Sequence, residues 1–261
     1  MPSVCPILIT FVEQFNFQLS TLVRSNGIVL RAINYTDSQM IVTIFTEAAG
    51  TVSFLVRASR SGRSRTKAST WQPLALVEVV WEPRLQTSLQ HPRELALWRP
   101  WRSLAMHPYK AAMTLFMSEF LYHALRGEQQ NPPLFGFMTN ALTWFDESEE
   151  HFSNFHIIFL LRLTRFLGFE PNVDDWHDGS FFDLDAAMFT ARRPLHVHYL
   201  EPVEASLVPK FMRMDLRSMR AVGLNRAIRQ RVLEIVTEFY RLHVPEFPEL
   251  RSLAVLAEVF E

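Results

Sequence analysis

The chain has 261 residues, 48% of them hydrophobic, which is ample for one large or two ordinary folded domains and excludes a disordered protein. It has one cysteine, Cys5, which excludes an intramolecular disulfide and a four-thiolate zinc site and fits a reducing cytoplasm. The formal net charge of -1 conceals an asymmetry, because residues 24–100 carry ten Lys or Arg against five acids, whereas residues 101–261 carry 16 against 21. A basic first part points to an anionic partner.

Residues 1–23 form an N-terminal extension. Its apolar stretch lacks a basic segment before it and is interrupted by Glu13, Gln14, Asn16 and Gln18, so we expect no signal peptide. No window of the chain supplies the roughly 20 apolar residues of a membrane span. We therefore expect a soluble cytoplasmic protein that does not bind a membrane.

Residues 24–100 have the pattern of a small β domain. Strands are predicted over residues 39–46, 51–56, 74–81 and 85–98, with a hairpin at Gly50, and the region that begins at Gly27 also reads as β-structure. Several short strands that turn back on one another favour a closed barrel, because closure removes exposed edges. The prediction is an oligonucleotide-binding (OB) barrel.

Residues 101–261 have the period of helices. We expect an α+β protein in which the barrel is followed by a helical domain with a short irregular insertion at about 173–200. Helices are predicted over residues 109–127, 131–144, 152–167, 203–219, 225–243 and 248–260.

The loop after the third strand has the sharpest local signal. Residues 57–67 contain five cations, no acid and one glycine, so the loop is suited to lie along a phosphate backbone. The alternative is a solvated loop without a partner. Its cations are Arg57, Arg60, Arg63, Arg65 and Lys67.

A second cationic series follows the spacing of a helix face. Lys210, Arg213, Arg217 and Arg220 are three or four residues apart, which predicts one face of the helix over 203–219. This face is either part of a DNA path or a solvated surface paired with the acids of the domain. With Arg24, Arg31 and Tyr35 of the first strand, the predicted DNA-binding residues are Arg24, Arg31, Arg57, Arg60, Arg63, Arg65, Lys67, Tyr35, Arg213, Arg217 and Arg220.

Aromatic side chains on the barrel could stack on bases. The candidates are Tyr35, Phe45, Phe54 and Trp71, of which at least half should lie in the core because alternate residues of a small barrel point inward.

Signals for other chemistry are weak. His196 and His198 would share one face of a strand, but two histidines do not complete a metal site. The acids from Asp174 to Asp185 lie in a region without rigid spacing, and the sequence has no phosphate-binding glycine loop and no nucleophile elbow. We expect no cofactor, no metal and no catalytic residue.

Several segments together resemble the RecO family of bacterial DNA-repair and recombination-mediator proteins. The resemblance spans roughly residues 24–261. The segments that carry it are 27–38, 41–46, 50–58, 74–80, 100–103, 108–112, 131–135, 161–172 and 250–253.

This resemblance implies binding of single- and double-stranded DNA, annealing of complementary strands, and transfer of DNA from single-strand-binding protein to RecA together with RecR. It also implies docking of the acidic, Phe-ended tail of single-strand-binding protein, for which Arg162, Arg165 and Phe166 are candidates because cations there adjoin apolar side chains. Many family members carry a four-cysteine zinc knuckle after the segment that matches residues 167–172. The stretch 173–200 contains no cysteine, so we expect a degenerate, zinc-knuckle-like insertion held by aromatic packing, with Trp176 among the packed residues.

Three functions are therefore compared. The first is a DNA-binding recombination mediator associated with the nucleoid. The second is a metal-dependent hydrolase that uses the His and Asp residues of the insertion, and the third is a protein scaffold whose basic barrel docks an acidic surface. The sequence favours the mediator.

Overall fold

The computed structural model describes residues 22–57, 68–84, 86–216, 218–221 and 223–259. The chain divides into two compact units between Arg99 and Pro100, which we call the β unit and the helical unit. Within the described residues, none of the helices combines the length and apolarity that crossing a membrane requires.

The β unit contains six strand segments. They are β1 (Val23–Thr36), β2 (Gln39–Thr46), β3 (Gly50–Arg57), β4 (Leu76–Trp81), β5 (Leu89–Gln90) and β6 (Pro92–Arg99). The long β1 pairs antiparallel with β2 and with β4. Its pairing with β2 has a register shift between Val29 and Arg31. The order in the sheet is β5-β3-β2-β1-β4-β6.

The two ends of this sheet belong to one stretch of chain, because only His91 separates β5 from β6. β5 pairs in parallel with β3, at Ser53 and Leu89, while β6 pairs antiparallel with β4. The strands therefore form a closed ring with the order of an OB barrel, as predicted from the sequence. The predicted strand over 85–98 is in fact these two segments.

Alternation of side chains fills the barrel. Val42, Phe54 and Val77 are among the fully buried residues of its core, where Phe54 packs edge-on against Trp81 with ring centroids 5.4 Å apart. Gly27 has a packing reason to be glycine, since a Cβ there would lie 2.4 Å from Cγ2 of Ile44.

The helical unit contains seven α-helices within its described residues. They are α1 (Pro108–Ala124), α2 (Pro132–Glu147), α3 (Phe155–Leu167), α4 (Pro202–Ala205), α5 (Val208–Arg213), α6 (Arg226–His243) and α7 (Ser252–Val259). Local sequence signals set several ends: the Asn131 and Asn225 side chains accept hydrogen bonds from the N–H of Leu134 and Ile228, and Gly168 ends α3 with φ of 84°.

The single helix predicted over 203–219 is wrong. Pro209 lacks an N–H and is accommodated only in the first turn of a helix, so α4 ends before it and α5 restarts there. Met214 then leaves the helix with an extended backbone, and Asp215 and Ser218 cap each other through Asp215 N–H to Ser218 Oγ and Ser218 N–H to Asp215 Oδ1. Lys210 and Arg213 therefore lie in α5 and Arg220 lies in a separate 3₁₀ turn, Ser218–Ala221, so the predicted common helix face of the series is wrong for the described residues.

The insertion is more regular than the sequence suggests. It holds a three-stranded antiparallel sheet of β7 (Phe181–Asp183), β8 (Met188–Thr190) and β9 (Tyr199–Leu200), in the order β8-β7-β9. Phe182 and Phe189 are buried and pack toward Phe239 of α6. Trp176, expected in this core, is instead 40% exposed.

Two buried charged residues, Asp146 and Lys110, fasten the start of the helical unit. The Asp146 carboxylate accepts hydrogen bonds from the backbone N–H groups of Arg102, Ser103 and Leu104 at 2.8–3.2 Å. Lys110, 2% exposed, donates to Ser103 Oγ at 2.7 Å and to the Phe145 and Asp146 carbonyls at 2.7 and 3.0 Å. Burial lowers the pKa of Lys110, against the opposing charges of Asp146 and Glu149.

Candidate nucleic-acid interface and peptide groove

The outer surface of β1, β2 and β3 forms what we call the barrel face. Successive strand residues point to opposite sides, and the buried core occupies the inner side, so the alternate residues point outward. A 3.1 Å contact between the Thr43 and Ser53 hydroxyl oxygens shows that these two share the outer side. By register, the barrel face consists of Arg31, Ile33, Gln39, Ile41, Thr43, Ser53, Leu55 and Arg57; Tyr35 joins it by the alternation of residues along β1, at a register shift.

The strand register arranges these residues in rows across the three strands. Arg31 lies opposite Thr43, and Thr43 opposite Ser53, while Gln39 lies opposite Arg57 in a row that Tyr35 adjoins. Arg31 and Arg57 thus occupy diagonal corners, about 16 Å apart from a spacing of 4.8 Å per strand and 3.3 Å per residue. Both arginines are exposed, and Tyr35 is 60% exposed.

The structure locates part of the predicted DNA-binding set here. Arg31, Tyr35 and Arg57 lie on one face, whereas Arg60, Arg63, Arg65 and Lys67 lie outside the described residues. Of the stacking candidates, Phe45 and Phe54 are fully buried and Trp71 packs against the core, so the prediction that at least half are core residues is confirmed.

Arg24 lies near the other end of β1, some 23 Å from Arg31 along an extended strand. Its guanidinium binds Glu78 at 2.6 Å and approaches Glu94 at 3.8 Å. Two carboxylates therefore compensate its charge.

The remaining sequence candidates are dispersed over the helical unit. Arg162 donates two hydrogen bonds to the Met214 carbonyl, Arg165 is exposed, and Phe166 stacks on Phe137 with centroids 4.9 Å apart. Arg213 is exposed at the end of α5; Arg217 and the side chain of Arg220 lie outside the described residues.

A groove between α6 and α7 provides a concave site that the sequence analysis missed. It has a volume of about 350 Å³, and we call it the α6–α7 groove. Its apolar wall comes from leucines of both helices, and its polar lining includes three arginines and two glutamates. Among the lining residues are Arg226, Arg229, Leu233, Arg241, Leu253 and Leu256.

Two groups deep in the groove make its electrostatics unusual. Burial lowers the pKa of Arg229, whose guanidinium donates to Asn154 Oδ1 at 3.2 Å and to the Leu224 carbonyl at 3.0 Å. Burial and the positive charge of Arg229 lower the pKa of His156 from 6.5 to about 3. The histidine is therefore neutral at physiological pH, and the partly buried cation beside it provides a positive charge in the groove.

α7 is held against α1 by a carboxylate cap. Glu119 accepts hydrogen bonds from the backbone N–H of Arg251 at 3.1 Å and of Ser252 at 2.8 Å, and from the Ser252 hydroxyl. Burial alone would raise the pKa of Glu119, but these hydrogen bonds hold it below its usual value. The groove wall formed by α7 is thereby fixed in place.

The insertion does not support the metal hypothesis. His196 faces Asp183 at 3.1 Å and His198 faces Glu238 at 2.9 Å, so the two imidazoles turn toward different carboxylates. In the part of the chain that the structure describes, no three His, Cys, Asp or Glu residues are grouped to hold a metal ion.

Comparison with known proteins identifies the family. A model described as "Recombination protein O N terminal" matches residues 20–100, and one described as "Recombination protein O C terminal" matches residues 107–254. The DNA repair protein RecO of Bacteroides fragilis is 44% identical over 241 residues, covering 92% of this chain and 100% of that protein. The RecO protein of Phocaeicola vulgatus is 44% identical over 239 residues, which cover 92% of this chain and 99% of that protein. The RecO protein of Porphyromonas gingivalis is 30% identical over 246 residues, which cover 92% of this chain and 100% of that protein. The chain therefore belongs to the RecO family of DNA repair proteins.

Proposed function

We propose that this protein is a recombination mediator that binds single- and double-stranded DNA, anneals complementary strands and, with RecR, helps to load RecA onto DNA coated with single-strand-binding protein. The observation that carries the proposal is the barrel face, where exposed Arg31, Tyr35 and Arg57 lie on the outer surface of an OB barrel. Arginines on such a surface neutralise phosphates and release condensed counterions without reading sequence. Residues 58–67, which follow Arg57 in the sequence and lie outside the described residues, add four cations.

The test measures the salt dependence of DNA binding. Arg31→Ala/Arg57→Ala should weaken the affinity for an oligonucleotide and reduce the slope of log K against log salt by about two, since each lost phosphate contact removes about one. Arg93→Ala is the matched control, because Arg93 is an exposed arginine of the same unit that is paired with Glu82. A double variant with the salt slope of the wild type would refute the role of this face.

For the acidic tail of single-strand-binding protein we propose the α6–α7 groove rather than the surface around Arg162 and Arg165. The groove combines an apolar wall with arginines, which is the combination that an acidic, Phe-ended peptide requires. On α3, by comparison, the apolar candidate Phe166 already stacks on Phe137.

A fluorescent tail peptide separates the two locations. Arg226→Ala and Leu253→Ser should each weaken binding about tenfold by removing a charge-assisted contact or apolar wall, whereas Arg165→Ala should leave it unchanged. The reverse pattern would restore the surface on α3 as the docking site. Unchanged binding in all three variants would exclude both.

A further inference from the structure

The centre of the barrel face is apolar. Ile33 lies opposite Ile41, and Ile41 opposite Leu55, so that three aliphatic side chains cross β1, β2 and β3 in one row. Ile33 is 40% exposed, and the other two are half-buried. With adjacent strands about 4.8 Å apart, the row forms a strip roughly 10 Å long.

The strip does not belong to the core of the barrel. Core residues such as Val42 and Phe54 lie on the opposite side of the same strands. On the outer side, the strip is flanked by the row of Arg31, Thr43 and Ser53 and by the row of Gln39 and Arg57. The outer side of these strands therefore carries an apolar strip between two polar, arginine-bearing rows.

The two forms of DNA would meet this surface differently. A duplex presents phosphates and keeps its bases stacked inside, so an open face reaches only its backbone. A single strand can place the faces of its bases on an apolar strip while its phosphates reach arginines on either side. Apolar contact with the strip then stabilises the complex with the single strand and not the complex with the duplex.

We propose that the Ile33–Ile41–Leu55 row makes the barrel face selective for single-stranded over duplex DNA. The inference rests on the proposed DNA binding and assigns a separate task to each set of residues: the arginines supply affinity for any polyanion, and the aliphatic row supplies the preference. Because aliphatic side chains offer no hydrogen-bond donors or acceptors, the row accepts any base.

The experiment compares two probes by fluorescence anisotropy, a labelled oligo(dT) and a duplex of equal length, at one salt concentration. Ile33→Thr/Leu55→Thr removes most of the apolar contact, while threonine, a β-branched residue, still favours the strand conformation. We expect its affinity for oligo(dT) to fall about tenfold, because the variant loses apolar contact equivalent to about one to two buried methylene groups. Its affinity for the duplex should change less than about twofold.

Two further variants make the outcome decisive. Ile33→Val/Leu55→Ile keeps an apolar strip and should retain the preference for oligo(dT), whereas Arg31→Ala/Arg57→Ala should weaken both probes by similar factors. If Ile33→Thr/Leu55→Thr weakens both probes equally, or neither, the selectivity assigned to the row is wrong even though DNA binding stands. If the wild type binds neither probe, the proposed function itself fails, and the inference falls with it.

Discussion

The β unit and the helical unit hold their charges in different ways. On the barrel, arginines lie at the surface: Arg31 and Arg57 are exposed, and Arg24 is 63% exposed even within its pair with Glu78. In the helical unit, Lys110, Asp146 and Arg229 are wholly or partly buried and hydrogen-bonded to backbone or amide groups. Exposed charges contribute little to stability but remain accessible to a polyanion, whereas buried charges are structurally costly to disturb.

This difference teaches that an arginine count does not locate a nucleic-acid surface. The helical unit has more basic residues than the β unit, yet several of them are bound internally, such as Arg162 to Met214 and Arg231 to Glu204. The Arg231 guanidinium donates to both carboxylate oxygens of Glu204, at 2.6 and 3.0 Å, and these hydrogen bonds hold the pKa of Glu204 below its usual value. What matters for binding a polyanion is whether the charged end of each side chain is exposed or already bound within the protein.

The largest effect that the comparison predicts is on stability at Asp146. Asp146→Ala leaves the N–H groups of Arg102 and Ser103 without their acceptor and removes the negative charge beside buried Lys110. Leaving these N–H groups without an acceptor and a buried cation without the nearby negative charge should lower the free energy of unfolding by about 3–5 kcal/mol. Denaturant unfolding followed by circular dichroism measures it.

Asp146→Asn is the matched control, because an amide oxygen can still accept one of these N–H groups, and its loss of stability should be smaller. A surface variant of the same unit, Asp175→Asn, changes an exposed carboxylate and should alter the free energy by less than about 0.5 kcal/mol. An Asp146→Ala protein as stable as Asp175→Asn would show that the buried hydrogen bonds of Asp146 contribute nothing.

An intermediate effect is expected from His156. Its folded pKa of about 3 is below the unfolded value of 6.5, so below pH 6.5 the unfolded state binds a proton that the folded state does not. Stability should therefore be unaffected by this group above pH 6.5 and should fall as the pH decreases toward 3, with a slope that approaches about 1.4 kcal/mol per pH unit. Unfolding free energies between about pH 7 and 5.5 isolate the histidine from the carboxylates.

His156→Gln should flatten this slope whatever it does to the absolute stability, since glutamine does not titrate. His151→Gln removes an exposed histidine and should leave the slope unchanged. A slope that survives in His156→Gln would mean that another group causes the acid sensitivity.

The sequence predicted the class of each unit because local signals agreed with the fold. The β-branched and aromatic residues of β2, the alternation in β3, Gly50 at the hairpin, and the helix caps at Asn131 and Asn225 all act within a few positions of the chain. The prediction over 203–219 failed where charge spacing was weighed above Pro209, although the proline carried the stronger physical constraint.

The candidate site was less predictable because it depends on contacts between distant residues. Arg31, Tyr35 and Arg57 could be chosen from composition, but their common face follows from the register of three strands. The α6–α7 groove brings His156 together with residues 226–256, and the Glu119 cap that fixes α7 joins positions 132 and 133 residues apart. The only sequence trace of the groove is the apolar period of its two helices beside Arg226 and Arg229.

The smallest effect should come from substitution of Arg24. This variant tests whether exposure alone is sufficient for an arginine of the β unit to contribute to DNA binding. Its pairs with Glu78 and Glu94 are exposed, so Arg24→Ala should change the free energy of unfolding by less than about 1 kcal/mol. Because two carboxylates already compensate its charge, the affinity for oligo(dT) should change less than about twofold, whereas Arg57→Ala should weaken it several-fold and flatten the salt slope. Equal losses of affinity in the two variants would show that an arginine paired with carboxylates still contributes to DNA binding. The total basic charge of the β unit, rather than the geometry of the barrel face, would then govern binding.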